Sequence, residues 1–222
     1  MLSLPNVTLL AVSSVELEGT DLALRISSHD IEFGHIKFLC SEDWVSSDPK
    51  IQTLKIPRLD FIGYSRFILC DLVRYVDTPY CLVIQADGFV LNANQWRSEF
   101  FDYDYIGAPW PYDLKLGNIP LDLTKNSVGN GGFSLRSKKL LDETAKINFD
   151  YLSLPTASED LIVCHFLYDQ MIGAGINFPS PELAAQFSIE SPTASYGQNP
   201  QTAFGFHGKD LRNAIFASMG VP

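Results

Sequence analysis

The stretch from Cys81 to Leu91 reads Cys-Leu-Val-Ile-Gln-Ala-Asp-Gly-Phe-Val-Leu, and its first half is an apolar run bounded by Pro79 and Gly88. So short a run without polar alternation reads as a strand covered on both faces, central in a sheet flanked by helices. The chain turns polar at Gln85-Ala86-Asp87-Gly88. In open α/β sheets ligands lie beyond the carboxyl ends of the strands, so a carboxylate delivered there is placed to hold a metal or a substrate. An Asx turn of Asp87 with Gly88 accounts for the same residues without a ligand.

Asn6 to Ser13, Asn-Val-Thr-Leu-Leu-Ala-Val-Ser, reads as a first parallel strand opening onto a site, with Ser13 at its carboxyl end. A helical stretch from about Glu16 to Ser28 and a strand from His35 to Cys40 complete a β-α-β opening. With 222 residues, 46% of them hydrophobic, one α/β domain with a substantial core is expected. A formal charge of -10, from 16 basic against 26 acidic residues, argues against a nucleic-acid partner, which needs clustered Lys and Arg. No apolar run nears the roughly 20 residues that span a bilayer, and the start has no leader pattern, so a soluble, cytoplasmic protein without a transmembrane segment is expected. Cys40, Cys70, Cys81 and Cys164 are far apart and lie mostly in apolar runs, as buried free thiols do.

Further along, Leu54 to Pro57 reads as a short strand, and Tyr64 to Val76 has helical spacing with Ser65 as N-cap. Arg66 then falls in a first turn, where the helix dipole disfavours cations, so it either faces solvent or serves an anion bound at that end. Asn92 to Phe101 reads as a short helix with Trp96 and Phe100 inward. Asp102 to Trp110, Asp-Tyr-Asp-Tyr-Ile-Gly-Ala-Pro-Trp, suits either stacking on a sugar ring or a packed strand and turn.

Val128-Gly-Asn-Gly-Gly-Phe-Ser-Leu-Arg136 places glycines just before a strand. Glycines there mark a tight turn or close approach to a ligand; with no helix opening on them, they are not a dinucleotide fingerprint. Ser158-Glu159-Asp160 reads as an N-cap with acids in a first turn, which accounts structurally for both carboxylates. Pro181 to Glu190 reads as a short helix running into a strand. Near the end, Phe204-Gly-Phe-His-Gly208 sets His207 between aromatics and a glycine, an unusual place for an imidazole without a task, with a buried structural histidine as the plain reading. Pro109 to Asn126 and Ser191 to Gln201, rich in Pro, Gly, Asn and Ser, read as loops over a site.

Taken in order, Gln85-Ala-Asp-Gly-Phe-Val, Asp104-Tyr-Ile-Gly-Ala-Pro-Trp, Val128 to Ser137, Glu159-Asp-Leu, Phe187-Ser-Ile-Glu and Phe204-Gly-Phe-His-Gly resemble a family of small, largely uncharacterised proteins akin to GT-A glycosyltransferases. Gln85-Ala86-Asp87 stands where those enzymes carry Asp-x-Asp, with the first Asp missing. The resemblance implies a single GT-A-like, Rossmann-like α/β/α sandwich with a mostly parallel sheet, residues 1–91 forming a nucleotide-binding half and 92–222 a sugar and acceptor half. It implies a nucleoside-diphosphate sugar donor, a UDP-sugar foremost, and a glycan or glycoconjugate acceptor. Mn²⁺ or Mg²⁺ would lie on Asp87 and His207; Ser13, Arg66, Gln85, Asp87, Asn130, Gly131 and Gly132 would contact nucleotide and sugar. Asp160, with Glu159 as its partner or exchanged with it, would deprotonate the acceptor for inverting transfer. A sugar or nucleotide binder without turnover is the alternative, and a two-carboxylate glycoside hydrolase ranks below it.

Overall fold

The computed structural model of the chain describes residues 1–190 and 195–219. Strand β1 (Leu2–Ser13) pairs in parallel with β2 (Ile31–Cys40), reached through helix α1 (Leu17–Ser28), and β2 with β3 (Ile51–Lys55). Helix α2 (Phe61–Arg66) runs on through a π turn, Phe67–Asp71, and a 3-10 turn, Leu72–Tyr75, into β4 (Tyr80–Ile84), which pairs in parallel on the other side of β1. Then come β5 (Tyr105–Ile106), a small hairpin of β6 (Lys115–Leu116) and β7 (Ile119–Pro120), and β8 (Phe133–Ser137). Strand β8 lies antiparallel between β4 and β5, so the sheet order is β3-β2-β1-β4-β8-β5.

The alternation of side chains shows why β1 and β4 read as continuous apolar runs. Leu9, Ala11, Leu82 and Ile84 point into one core cluster with Leu24, Phe38 and Phe204. Leu10, Val12, Cys81 and Val83 point into the other, with Phe67, Leu72 and Leu141. Successive residues face opposite sides of the sheet, and both sides are covered.

The C-terminal part adds α3 (Lys138–Thr144), capped by the Ser137 hydroxyl, which accepts from the Leu140 N–H at 3.0 Å. Helix α4 (Glu159–Leu161) passes through a π turn, Ile162–Phe166, towards α5 (Tyr168–Gly173). Helix α6 (Pro181–Phe187) leads into β9 (Ser188–Ile189), which pairs in parallel with β10 (Gly205–Phe206) before α7 (Lys209–Met219).

Two local expectations change, and one left open is decided. The helix expected from Tyr64 starts at Phe61, because the Asp60 carboxylate accepts from the Gly63 N–H at 2.7 Å; Ser65 is buried inside it and Arg66 falls in its last turn. Asn92 to Phe101 holds 3-10 turns, Ala93–Gln95 and the start of Ser98–Asp102, rather than one helix. The aromatic run near Trp110 is packed: Tyr105 and Trp110 are buried, and Asp104 accepts from the Ser137 hydroxyl at 2.6 Å.

Candidate active site

At the carboxyl end of β4 the backbone makes a turn in which the Gly88 N–H donates to the Gln85 carbonyl at 3.1 Å. The Asp87 carboxylate is not spent on that turn: its Oδ1 lies 3.3 Å from Nε2 of His207. His207 is brought there by main-chain bonds on both sides, its own N–H to the Ile189 carbonyl at 2.9 Å and that of Gly208 to the Asp87 carbonyl at 2.8 Å. The other ring nitrogen, Nδ1, faces Glu190 Oε1 at 3.3 Å, and Gln85 Oε1 is 3.1 Å from Nε2. Gln85 in turn donates from Nε2 to the Tyr64 hydroxyl at 2.8 Å.

Burial works to lower the His207 pKa, but hydrogen bonds to Asp87 and Glu190 outweigh it and hold the imidazole up at about 9. Burial likewise works to raise Asp87, and His207 holds it below the usual carboxylate range. Burial pushes the Tyr64 phenol up to about 12, with the Glu159 charge adding to it.

The glycine segment supplies the opposite wall. A Cβ on Gly132 would sit 2.2 Å from His207 Nε2, and one on Gly131 would sit 1.7 Å from Glu159 Oε1. These glycines make room for the protein's own side chains. Asn130 between Gly129 and Gly131 adopts φ 65°, its Oδ1 accepting from the Gly132 N–H at 3.2 Å. Its backbone N–H donates to Asp160 Oδ2 at 3.1 Å.

The two neighbouring acids of α4 differ sharply. Glu159 is buried and pairs with the buried Arg136 at 2.8 Å. Asp160 is half-buried, and burial, with the charges of Glu159 and Glu190, pushes its carboxyl up to about 6. Ser158 stands at the N-cap but makes no side-chain capping bond.

A cleft of about 430 Å³ adjoins Asp87 and is lined by Ser13, Phe61, Tyr64, Gln85 and Lys209, among others. Lys209 Nζ and Arg212 Nη1 both lie 3.5 Å from the carboxylate of Glu16, and Glu16 and Lys209 both line the cleft.

Ser13, Gln85, Asp87 and His207 thus meet at the cleft, and Asn130, Gly131, Gly132, Glu159 and Asp160 form the adjoining wall. Arg66 stands apart, exposed and paired with Asp150 at 3.4 Å, so it is not at the cleft. Residues 191–194 of the loop expected over the site lie outside the described residues. Sequence reading missed Tyr64, Arg136, Glu190 and Lys209 as members. Lys209 follows His207 by two positions and Glu190 directly follows β9, but nothing local marks Tyr64 or Arg136, which reach the site through tertiary packing.

Two donors in adjacent octahedral positions at about 2.1 Å from an ion are about 3.0 Å apart, so the Asp87–His207 spacing of 3.3 Å fits a shared cation. A carboxylate on the far ring nitrogen, here Glu190, is what orients a metal-binding imidazole. Among the described residues no three His, Cys, Asp or Glu side chains form a ready cation cage. A cation at this pair would therefore complete its coordination with ligand oxygens and water.

The sequence profile of a family described as "Protein of unknown function (DUF5672)" matches residues 59–207. A search of curated proteins gave no significant match. Among solved structures, a glycosyltransferase involved in the glycosylation of the major capsid of PBCV-1 superposes with TM-score 0.55 at 14% identity, over 95% of this chain and 98% of that one. The galactosyltransferase LgtC with donor and acceptor sugar analogs gives TM-score 0.49 at 11% identity, over 90% of this chain and 86% of that one. The expected fold class, an α/β domain of GT-A type around a mostly parallel sheet, is the fold observed. Among the described residues no helix is long and apolar enough to cross a membrane.

Proposed function

We propose, from the premise that this chain belongs to the DUF5672 family of proteins of unknown function, that it is a glycosyltransferase. It would move a sugar from a nucleoside-diphosphate donor, a UDP-sugar foremost, to a hydroxyl of a glycan or glycoconjugate. The observation that carries this reading is the meeting of Asp87 and His207 at 3.3 Å beside a 430 Å³ cleft at the carboxyl ends of β1 and β4.

In this reading the nucleotide lies in the cleft along Ser13 and Tyr64, and Lys209 in its lining offsets phosphate charge. Mn²⁺ or Mg²⁺ held by Asp87 and His207 would neutralise charge developing on the leaving diphosphate. Glu190 would orient the imidazole from Nδ1, leaving Nε2, which faces Asp87 and the Gln85 amide oxygen, for the cation. Asp160 is the base: its half-buried carboxylate is held by the Asn130 N–H, and a pKa near 6 keeps it ionised and competent to take a proton at neutral pH. The acceptor oxygen bonds to the anomeric carbon as the bond to the diphosphate breaks, and the acceptor proton goes to Asp160, with inversion. Glu159, locked to Arg136, positions the turn that holds Asp160.

A binder without turnover is favoured by one observation, the single carboxylate of Gln85-Ala86-Asp87. A thermal-shift panel of nucleoside diphosphates and their sugars, with and without Mn²⁺, followed by a turnover assay, separates the two. A ligand at a hundred times its dissociation constant stabilises by about 2.7 kcal/mol. Stabilisation by one diphosphate only with Mn²⁺, together with transfer, supports the transferase; stabilisation without transfer supports the binder; silence on folded protein removes both nucleotide readings.

A further inference from the structure

A second depression, of about 380 Å³, lies in the C-terminal half between the segment 123–127, Tyr168, Phe178 and Tyr196. Its aromatic residues are half-buried, with part of each ring's surface open. Tyr168 and Phe178 pack with ring centroids 5.1 Å apart, and Tyr196 meets Tyr112 at 4.6 Å. Tyr196 holds φ 58°, a conformation uncommon outside glycine. Among the described residues of the lining Lys125 is the one that carries charge, and its ammonium is taken up by Asp169. Rings with polar tips, hydroxyls and a neutralised charge suit a neutral polyol and give an anion little to bind.

Both walls of this groove run to the site described above. Asn126 precedes Asn130, whose N–H holds Asp160, by four residues, at most about 14 Å of extended chain. On the other side Gln198, two residues after Tyr196, accepts from the Glu190 N–H at 3.1 Å. The Nε2 atom of Gln198 is buried with no partner among the described residues.

We infer that this groove is a saccharide subsite that takes an uncharged acceptor glycan and presents its terminal hydroxyl towards Asp160. As an acceptor subsite it rests on the transferase reading; saccharide binding there is measurable without nucleotide. The test is the full chain, fluorescently labelled, on a glycan array with and without UDP and Mn²⁺, alongside Tyr168→Ala, Tyr196→Ala, Tyr168→Phe and Thr124→Trp. Thr124 is exposed on the groove wall, so its replacement by Trp obstructs the groove while leaving the core intact. The expected result is wild-type binding to neutral glycans, lost about tenfold in each alanine variant and in Thr124→Trp, and kept in Tyr168→Phe. Should Tyr168→Ala fail to fold, Tyr196→Ala and Thr124→Trp decide. Wild-type silence in both conditions, or wild-type binding retained by any folded variant expected to lose it, overturns the groove. Glycan binding in a protein whose thermal-shift panel of nucleotides is silent leaves the groove and removes the transferase; a nucleotide-induced shift without glycan binding does the reverse.

Discussion

At the residue scale, the two acids that follow Ser158 are adjacent in sequence and opposite in circumstance. Glu159 is buried against Arg136, while Asp160 is half-buried with its carboxyl raised to about 6. Replacing Asp160 by Asn should lower kcat by roughly 10²–10⁴-fold, the usual share of general base catalysis, while leaving the nucleotide-induced thermal shift in place. In the wild type the rate should climb as pH rises through about 6 and level off above it, because the base must be ionised. A flat profile from pH 5 to 8 would remove Asp160 from that role. Asp87→Ala should abolish Mn²⁺-dependent transfer and the Mn²⁺-dependent part of the nucleotide shift; near-normal turnover in that variant would sink the metal site.

At the scale of elements, β8 carries the consequence of packing a glycine turn against charged side chains. Arg136→Leu leaves Glu159 charged and buried without its partner, and should destabilise the fold by about 3–5 kcal/mol, whereas the double change with Glu159→Leu should recover much of that. Urea unfolding of the two variants reads the difference directly. Gly132→Ala drives a methyl group to within 2.2 Å of His207, so a loss of about 1–3 kcal/mol and of Mn²⁺-dependent nucleotide binding is expected. If Gly132→Ala bound nucleotide with Mn²⁺ like the wild type, His207 would have no place in the site.

At the scale of the whole molecule, the raised groups set the pH dependence of stability. His207 has a folded pKa of about 9 against an ordinary value of about 6.5, so its contribution is complete below about 6.5 and lost as pH rises through about 9. Asp160, also raised, contributes in the same sense, with its contribution complete below about 3.9 and lost as pH rises through about 6. The metal-free protein should therefore melt at lower temperature at pH 9.5 than at pH 7, and His207→Gln should flatten that slope. An unchanged slope in the variant would place the ionising group elsewhere.

The sequence by itself determined the buried strands, the β-α-β opening and the order of the chemistry-bearing segments. Apolar runs and glycines act locally: a run like Leu82-Val83-Ile84 cannot be left in water, and Gly131-Gly132 marks a close approach whatever approaches. The same locality misplaced Arg66, because the cap was set by Asp60 through one hydrogen bond, and it left open whether the aromatics around Trp110 were surface or core. Only the tertiary structure decided which side chains meet: that His207 takes Asp87 on one nitrogen and Glu190 on the other, that Glu159 is spent on Arg136 while Asp160 keeps its carboxylate partly open, and that Tyr64 and Lys209 join the cleft. Those meetings depend on strand order and on how the C-terminal segment pairs with residues 87–91 that follow β4. They couple residues such as Gln85 and His207, 122 positions apart, by distance alone, and distance between remote residues is not written in local composition.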